Sequence, residues 1–460
     1  MLAPVLLGAL AGAALAVLPG SAGLLGAALG AVAGAAVGWK SGDRRAGFSP
    51  WSLALAAFFV PVFTLAVAPG ADMAMHVALA RGILEGRLSP AWPGVEAGAY
   101  PRGFSALVAM LWPLGPGHAG LIAAGASYLV FWAGLAAVLE GPLQTPAART
   151  VATVAVLLSR TPQIFFDWGG DPTAMAIGLA LYGAAQERAR FAALCFGGAA
   201  AIHPMGACAG ALALFLRWRN LRPTLAAAAA LCAVLAVLAI WGPHLSGREA
   251  AWIREYAARQ ERVSVAVLGD PANVATLVAA AALLWKRQFR PVALAAAAVA
   301  ALFAMFALLP RLGLYPARFA PMLLLAVTPL WARAAAARIQ LLTPLVLLVA
   351  FGWHVRWYQR ALPMATPRDV EAIRCLDREV PKTAVIDGAY GDATQWTPAL
   401  AGRAITRPHQ HVSLFDETDA ALARLPTAAF RFVGERVRYG DPPLPAQGTA
   451  LCSGAVLRLQ

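Results

Sequence analysis

Charge is what this chain has least of. Only 13% of its 460 residues are charged, against about 25% in an ordinary globular domain. Hydrophobic residues make up 60%, and the mean hydropathy is +0.64. Burying that much apolar surface calls for lipid, so the composition excludes an ordinary soluble enzyme and predicts an integral membrane protein. Acids are scarcer than bases, 23 against 37, for a net charge of +14. The basic residues recur between hydrophobic stretches and form no single patch, which argues against a nucleic-acid partner. Cysteine is sparse too. The five cysteines have no metal-type spacing, and Cys195, Cys208 and Cys232 lie in apolar runs where they read as packing residues. No basic segment precedes the first apolar run, so the N-terminus reads as part of the mature chain and not as a separate signal peptide. No internal repeat stands out.

What is present is a succession of apolar runs. They cover Leu2–Leu18, Leu24–Trp39, Trp51–Ala68, Ala119–Leu139, Val151–Ile164, Pro172–Ala185, Phe191–Ile202, Met205–Leu216, Thr224–Trp241, Val274–Trp285, Pro291–Leu309, Phe319–Trp331 and Leu341–Trp353. A spanning helix needs about 20 apolar residues, so the pattern predicts about thirteen transmembrane helices. The groups Lys40/Arg44/Arg45, Arg188/Arg190, Arg217/Arg219/Arg222, Lys286/Arg287/Arg290 and Arg333/Arg338 then fall on one side, the cytoplasmic one by the positive-inside rule. The other side receives a long first loop (70–118), with Phe104–Leu114 as a helix lying against the membrane, and the tail. The tail, 356–460, has β-like runs at Thr383–Ile386, Phe430–Val433 and Ala455–Leu459 separated by turn residues. The expected architecture is an all-α polytopic membrane protein over 1–355 with a small C-terminal extracytoplasmic α/β domain over 356–460. In an extracytoplasmic tail, Cys375 and Cys452 are placed to form a disulfide.

Ionisable groups at a membrane face are costly and suggest function. On the assigned outer side, Asp72 and His76 are four residues apart and share a helical face. Asp167 and Asp171 close one run and open the next. Asp171 precedes Pro172 and reads first as an ordinary helix N-cap, with a site role as the alternative; Asp167 has no such structural role and is the stronger site candidate. His203, before Pro204, reads either as a substrate contact or as a core residue bonding backbone freed by the proline. Arg311, Tyr315 and Arg318 sit at another outer helix mouth. They are suited to a phosphate, which guanidinium binds bidentately, or to snorkelling toward lipid headgroups.

The run Tyr100-Pro101-Arg102-Gly103-Phe104, following an acid just after a hydrophobic run, resembles the Tyr-Pro-Pro-Gly-Phe/Tyr pattern of the GT-C superfamily of membrane glycosyltransferases, of the oligosaccharyltransferase and protein-mannosyltransferase type. The Asp167–Pro172 turn is similar to that superfamily's second outer loop, and the Tyr315/Arg318 segment to its late arginine-bearing loop. The tail run Asp387–Arg403 resembles extracytoplasmic domains of bacterial members. The resemblance implies a GT-C-like fold and a polyprenyl-phosphate-linked sugar donor. Such enzymes commonly pair two acids in the first loop; here Met73 follows Asp72.

The expected function is therefore transfer of a sugar from a polyprenyl-phosphate carrier to an acceptor outside the cytoplasm, by a multi-pass protein of the cell inner membrane. Asp72 is expected to act as base or metal ligand, His76 to orient it and Asp167 to serve as second acid. A divalent metal, if used, would be held by Asp72 and Asp167. Tyr100, Asp171, His203, Arg311, Tyr315 and Arg318 are candidates for substrate binding. The competing readings are a transporter or flippase of a lipid-linked or small polar substrate, and a catalytically inert scaffold.

Overall fold

A computed structural model describes residues 65–86, 103–139, 169–186, 189–203, 270–308, 316–319, 321–335, 364–389, 391–407, 426–437 and 448–459, with a few isolated positions between them. The helices are α1 (Ala71–Leu84), α2 (Gly103–Met110), α3 (Pro116–Leu139), α4 (Asp171–Ala184), α5 (Ala189–Ile202), α6 (Asp270–Trp285), α7 (Phe289–Leu308), α8 (Pro321–Ala334), α9 (Pro367–Glu379) and α10 (Thr397–Ala401). The strands are β1 (Val385–Asp387), β2 (Ala404–Ile405), β3 (Phe430–Phe432), β4 (Gly448–Leu451) and β5 (Val456–Leu459).

The described residues do not form the expected GT-C-like, all-α array of about thirteen spans. Two of their helices are long and apolar enough to cross a membrane, Pro116–Leu135 and Phe289–Ala307, and a five-stranded mixed sheet stands beside the helices. Length is the reason. Helices α4, α5 and α8 each have 14 residues, which is about 21 Å at 1.5 Å per residue, against a hydrocarbon core of about 30 Å. Much of the apolar content that composition assigns to lipid goes instead into helices covering one another. The expected spans before 65, Val151–Ile164, the two between 205 and 241, and nearly all of Leu341–Trp353 lie outside the described residues.

Helices α3, α4 and α5 pack face to face through small residues. A Cβ on Gly134 of α3 would stand 1.9 Å from the Gly178 carbonyl of α4, and one on Gly178 would stand 2.4 Å from the Val130 carbonyl. The two backbones touch, as small-residue crossings allow. On the next face, Gly183 of α4 meets Cys195 and Phe196 of α5, and Cys195 is a buried free thiol. Helix α2 does not lie flat on a surface as expected. Phe104, Ser105, Ala106, Val108 and Ala109 are buried, because α2 is wedged among α1, α3 and α5. Helices α6, α7 and α8 form a second group, tied by a bond from Trp331 Nε1 to Thr276 Oγ1 (3.1 Å), and α8 also meets α3.

In the tail, the sheet order is β2-β1-β3-β5-β4. Strands β1, β2 and β3 pair in parallel, and β3, β5 and β4 pair antiparallel. Helix α9 opens on a capping box: the Thr366 side chain accepts from the Asp369 N–H, and the Asp369 carboxylate accepts from the Thr366 N–H. Its apolar side, Val370, Ile373 and Leu376, is buried. The C-terminus of α9 is closed by Arg403, a fully buried guanidinium. It donates to the carbonyls of Asp377, Val380 and Pro381 and to the Asp377 carboxylate. A disulfide joins Cys375 of α9 to Cys452, across 77 positions of sequence. The tail docks on the helical part through α10 and the turn before it, which rest on α1.

Closing a loop of that length removes unfolded-chain entropy worth about 4 kcal/mol in the chain-entropy treatment. Replacing Cys375 and Cys452 by serine in the full chain is expected to lower the melting temperature and speed proteolysis within the tail. Unchanged melting and digestion would show that the bridge contributes nothing.

Candidate active site

The site is built where helix ends meet. Helix α1 begins after Gly70, a glycine at φ 89° that caps it without a side-chain bond. Asp72 therefore falls in the first turn, where the exposed N–H groups and the helix dipole favour a carboxylate. It is half-buried. One turn on, His76 is 1% exposed, and its ring meets the edge of Phe104, centroid to centroid 5.2 Å at 74°.

Phe104 is held there by its neighbour. A Cβ on Gly103 would lie 2.9 Å from the Ala201 carbonyl and 3.3 Å from Ile202 Cα. Only glycine lets the start of α2 rest on the last turn of α5, and His203 is the residue that follows that turn. A second glycine acts in the same way. Gly169, at φ 89°, would place a Cβ 2.8 Å from Met73 N and 3.1 Å from Asp72 Cβ. The Gly169-Gly170 turn thus lies on the first turn of α1 and delivers Asp171 beside Asp72.

Asp171 is not the N-cap of α4. Gly170 occupies that position, with no side-chain cap. Asp171 is fully buried, and neither carboxylate oxygen has a hydrogen-bond partner among the described residues. The charge on Asp72 acts on Asp171, on His76 and on His203, and the charge on Arg318 acts on both histidines. Arg318 reaches in from the 3-10 turn Pro316–Phe319, and its guanidinium donates to His203 Nε2 at 2.8 Å. An imidazole that accepts at Nε2 is neutral and carries its proton on Nδ1. The Nε2 of His203 therefore belongs to the arginine, and its Nδ1 has no hydrogen-bond partner among the described residues.

The structure thus brings together Asp72, His76, Asp171, His203 and Arg318 from four separate stretches of chain. Tyr100, Asp167, Arg311 and Tyr315 lie outside the described residues. Among the described residues, no three His, Cys, Asp or Glu side chains are placed to hold a metal ion. Two contributors escaped the sequence reading. Gly169 carries the close approach to Asp72. Arg81, at the far end of α1, donates to the Ala399 carbonyl of α10 (3.3 Å) and lies against Gly402. It fastens the tail to the helix that bears Asp72 and His76.

Comparison with protein families, with characterised proteins and with solved structures finds no match to this chain.

Burial pushes His76 down to about 4; the Asp72 carboxylate opposes that shift and the Arg318 guanidinium adds to it. The folded protein therefore holds His76 neutral at pH 7. Between about 6.5 and 4 the unfolded chain gains a proton that the folded one refuses. Stability is full above that window and falls through it, by roughly 3 kcal/mol. In thermal melts at pH 7 and 4.5, the acid-side loss is expected to be smaller in His76→Gln than in the unmodified protein. Equal losses would refute the assignment.

Proposed function

We propose that this chain is a multi-pass protein of the cytoplasmic membrane that transfers a sugar from a polyprenyl-phosphate carrier to an acceptor hydroxyl on the extracytoplasmic side. The observation that carries this reading is the meeting of one guanidinium, Arg318, with His203 inside the field of Asp72 and His76. Glycosyl transfer from a lipid phosphate needs a base for the acceptor and a cation for the leaving group. The Asp72 carboxylate takes the proton from the acceptor oxygen as that oxygen bonds to the anomeric carbon. The bond from that carbon to the phosphate oxygen breaks, and Arg318 receives the negative charge that the carrier phosphate regains. His203, accepting from Arg318, fixes the direction of the guanidinium. His76, neutral and wedged against Phe104, holds the face of α1 on which Asp72 stands.

Three further observations support the membrane and outer-face parts of the proposal. Two helices are apolar enough to cross a membrane. The Cys375–Cys452 disulfide suits an oxidising compartment. The tail that carries it rests on α1, the helix of Asp72. The short resemblance of Tyr100–Phe104 to membrane glycosyltransferases points the same way, and in the structure its Gly103 and Phe104 are the residues that shape the site. A second reading, proton-coupled transport, is favoured by Asp171 alone, a buried carboxylate with no hydrogen-bond partner among the described residues.

The test is sugar transfer by the full chain in proteoliposomes, with a panel of polyprenyl-phosphate sugars. Asp72→Asn is expected to lower kcat by about 10²–10⁴ with KM little changed. Arg318→Gln is expected to lower it by about 10²–10³. Undiminished transfer by Asp72→Asn at normal protein level would reject the mechanism. Uptake that Asp171→Asn abolishes, with no glycolipid product from the unmodified protein, would establish transport in its place.

A further inference from the structure

At the opposite end of α8 from Arg318, a second feature stands apart from the site. Arg318 precedes α8, and Arg333 lies in its last turn. A 14-residue helix separates them by about 20 Å. There the last turns of α8 run beside the first turns of α7 and leave a cavity of about 470 Å³, within the usual range of about 300–1,000 Å³ for small-molecule sites. Its polar groups are two guanidiniums, Arg290 of α7 and Arg333 of α8; its apolar wall is formed by Leu294, Ala295, Ala326 and Leu330. Pro329, inside α8, lacks the N–H that would bond the preceding turn.

Both arginines are exposed, and among the described residues neither has an acidic partner. Two like charges facing one cavity repel each other until an anion sits between them. The surroundings say which kind of anion. Of the two described helices long enough to cross a membrane, α7 has the more hydropathic window, and only 17% of that window is buried. Trp285 (90% exposed) and Phe289 (62%) stand at the turn from α6 to α7, next in the chain to Lys286, Arg287 and Arg290. Aromatic rings beside basic residues at the end of a bare apolar helix are the pattern of a membrane interface, where basic clusters gather anionic lipid headgroups.

We propose that this groove binds an anionic phospholipid of the bilayer, its phosphate between Arg290 and Arg333 and its acyl chains along Leu294 and Leu330. The site is distinct from the Asp72–Arg318 cluster, and the proposal does not rest on the reaction assigned to that cluster.

The test uses the full chain in detergent, with phosphatidylglycerol and phosphatidylcholine added at matched levels and retained lipid read by native mass spectrometry. The unmodified protein is expected to keep phosphatidylglycerol in preference to phosphatidylcholine. Arg290→Gln and Arg333→Gln are each expected to weaken retention about fivefold, and the double variant about thirtyfold. A Lys286→Gln/Arg287→Gln control, which leaves the groove intact, is expected to lose far less. The single variants decide the matter if the double variant fails to fold. Three results would each overturn the proposal: equal retention of the two lipids, equal losses in the control and the groove variants, or displacement of phosphatidylglycerol by inorganic phosphate alone.

Discussion

Backbone meets backbone at glycine wherever the helices that build the candidate site are joined. Gly134 and Gly178 let α3 and α4 cross with their main chains touching. Gly103 sets α2 on the end of α5, and Gly169 sets the turn before α4 on the start of α1. Each approach is closer than any side chain would permit, so each fixes a helix end to within a narrow range. Asp72, Asp171 and His203 sit at or next to such ends, and His76 stands one turn further along α1. The Gly169 approach in particular is what sets Asp171 in the field of Asp72.

Close packing also sets the electrical character of the site. Asp171 and His76 are shut away from water, and burial penalises their charged forms. Asp72 is less enclosed and has the amino end of α1 to favour its charge. The environments of the two carboxylates therefore differ although they belong to one cluster. This division suits Asp72 for taking up a proton in a reaction and leaves Asp171 as the group whose charge state answers to its neighbours. The tail belongs to the same arrangement, because Arg81 and α10 fix it to the other end of α1.

The individual polar groups were legible because they are rare. In a chain so poor in charge, Asp72, His76, His203 and Arg318 stand out at the edges of apolar runs, and the structure brings all four together. Asp171 was harder to weigh, because an Asp-Pro pair at a helix start serves as a cap as readily as a site; only the placement of Gly170 as the cap resolved it. The number of spans was not legible in the same way. Alanine-rich helices buried against one another and helices buried in lipid have the same composition, and the apolar runs do not disclose that α4, α5 and α8 stop at 14 residues. In the tail, β1, β3 and β5 overlap the runs read as strands. The edge strands β2 and β4 have little apolar alternation and gave no signal.

Residue types and local spacing were enough to name the chemical inventory: two carboxylates, two imidazoles, a guanidinium and two cysteines able to bridge within the tail. These follow from residue type and local spacing, which need no knowledge of distant partners. Which of them meet came from packing across the chain, because a glycine's worth lies in the segment that presses against it. Gly169 is an ordinary turn residue until Met73 is found 2.8 Å from where its Cβ would be. Arg318 is one cation among many until its guanidinium is found on His203.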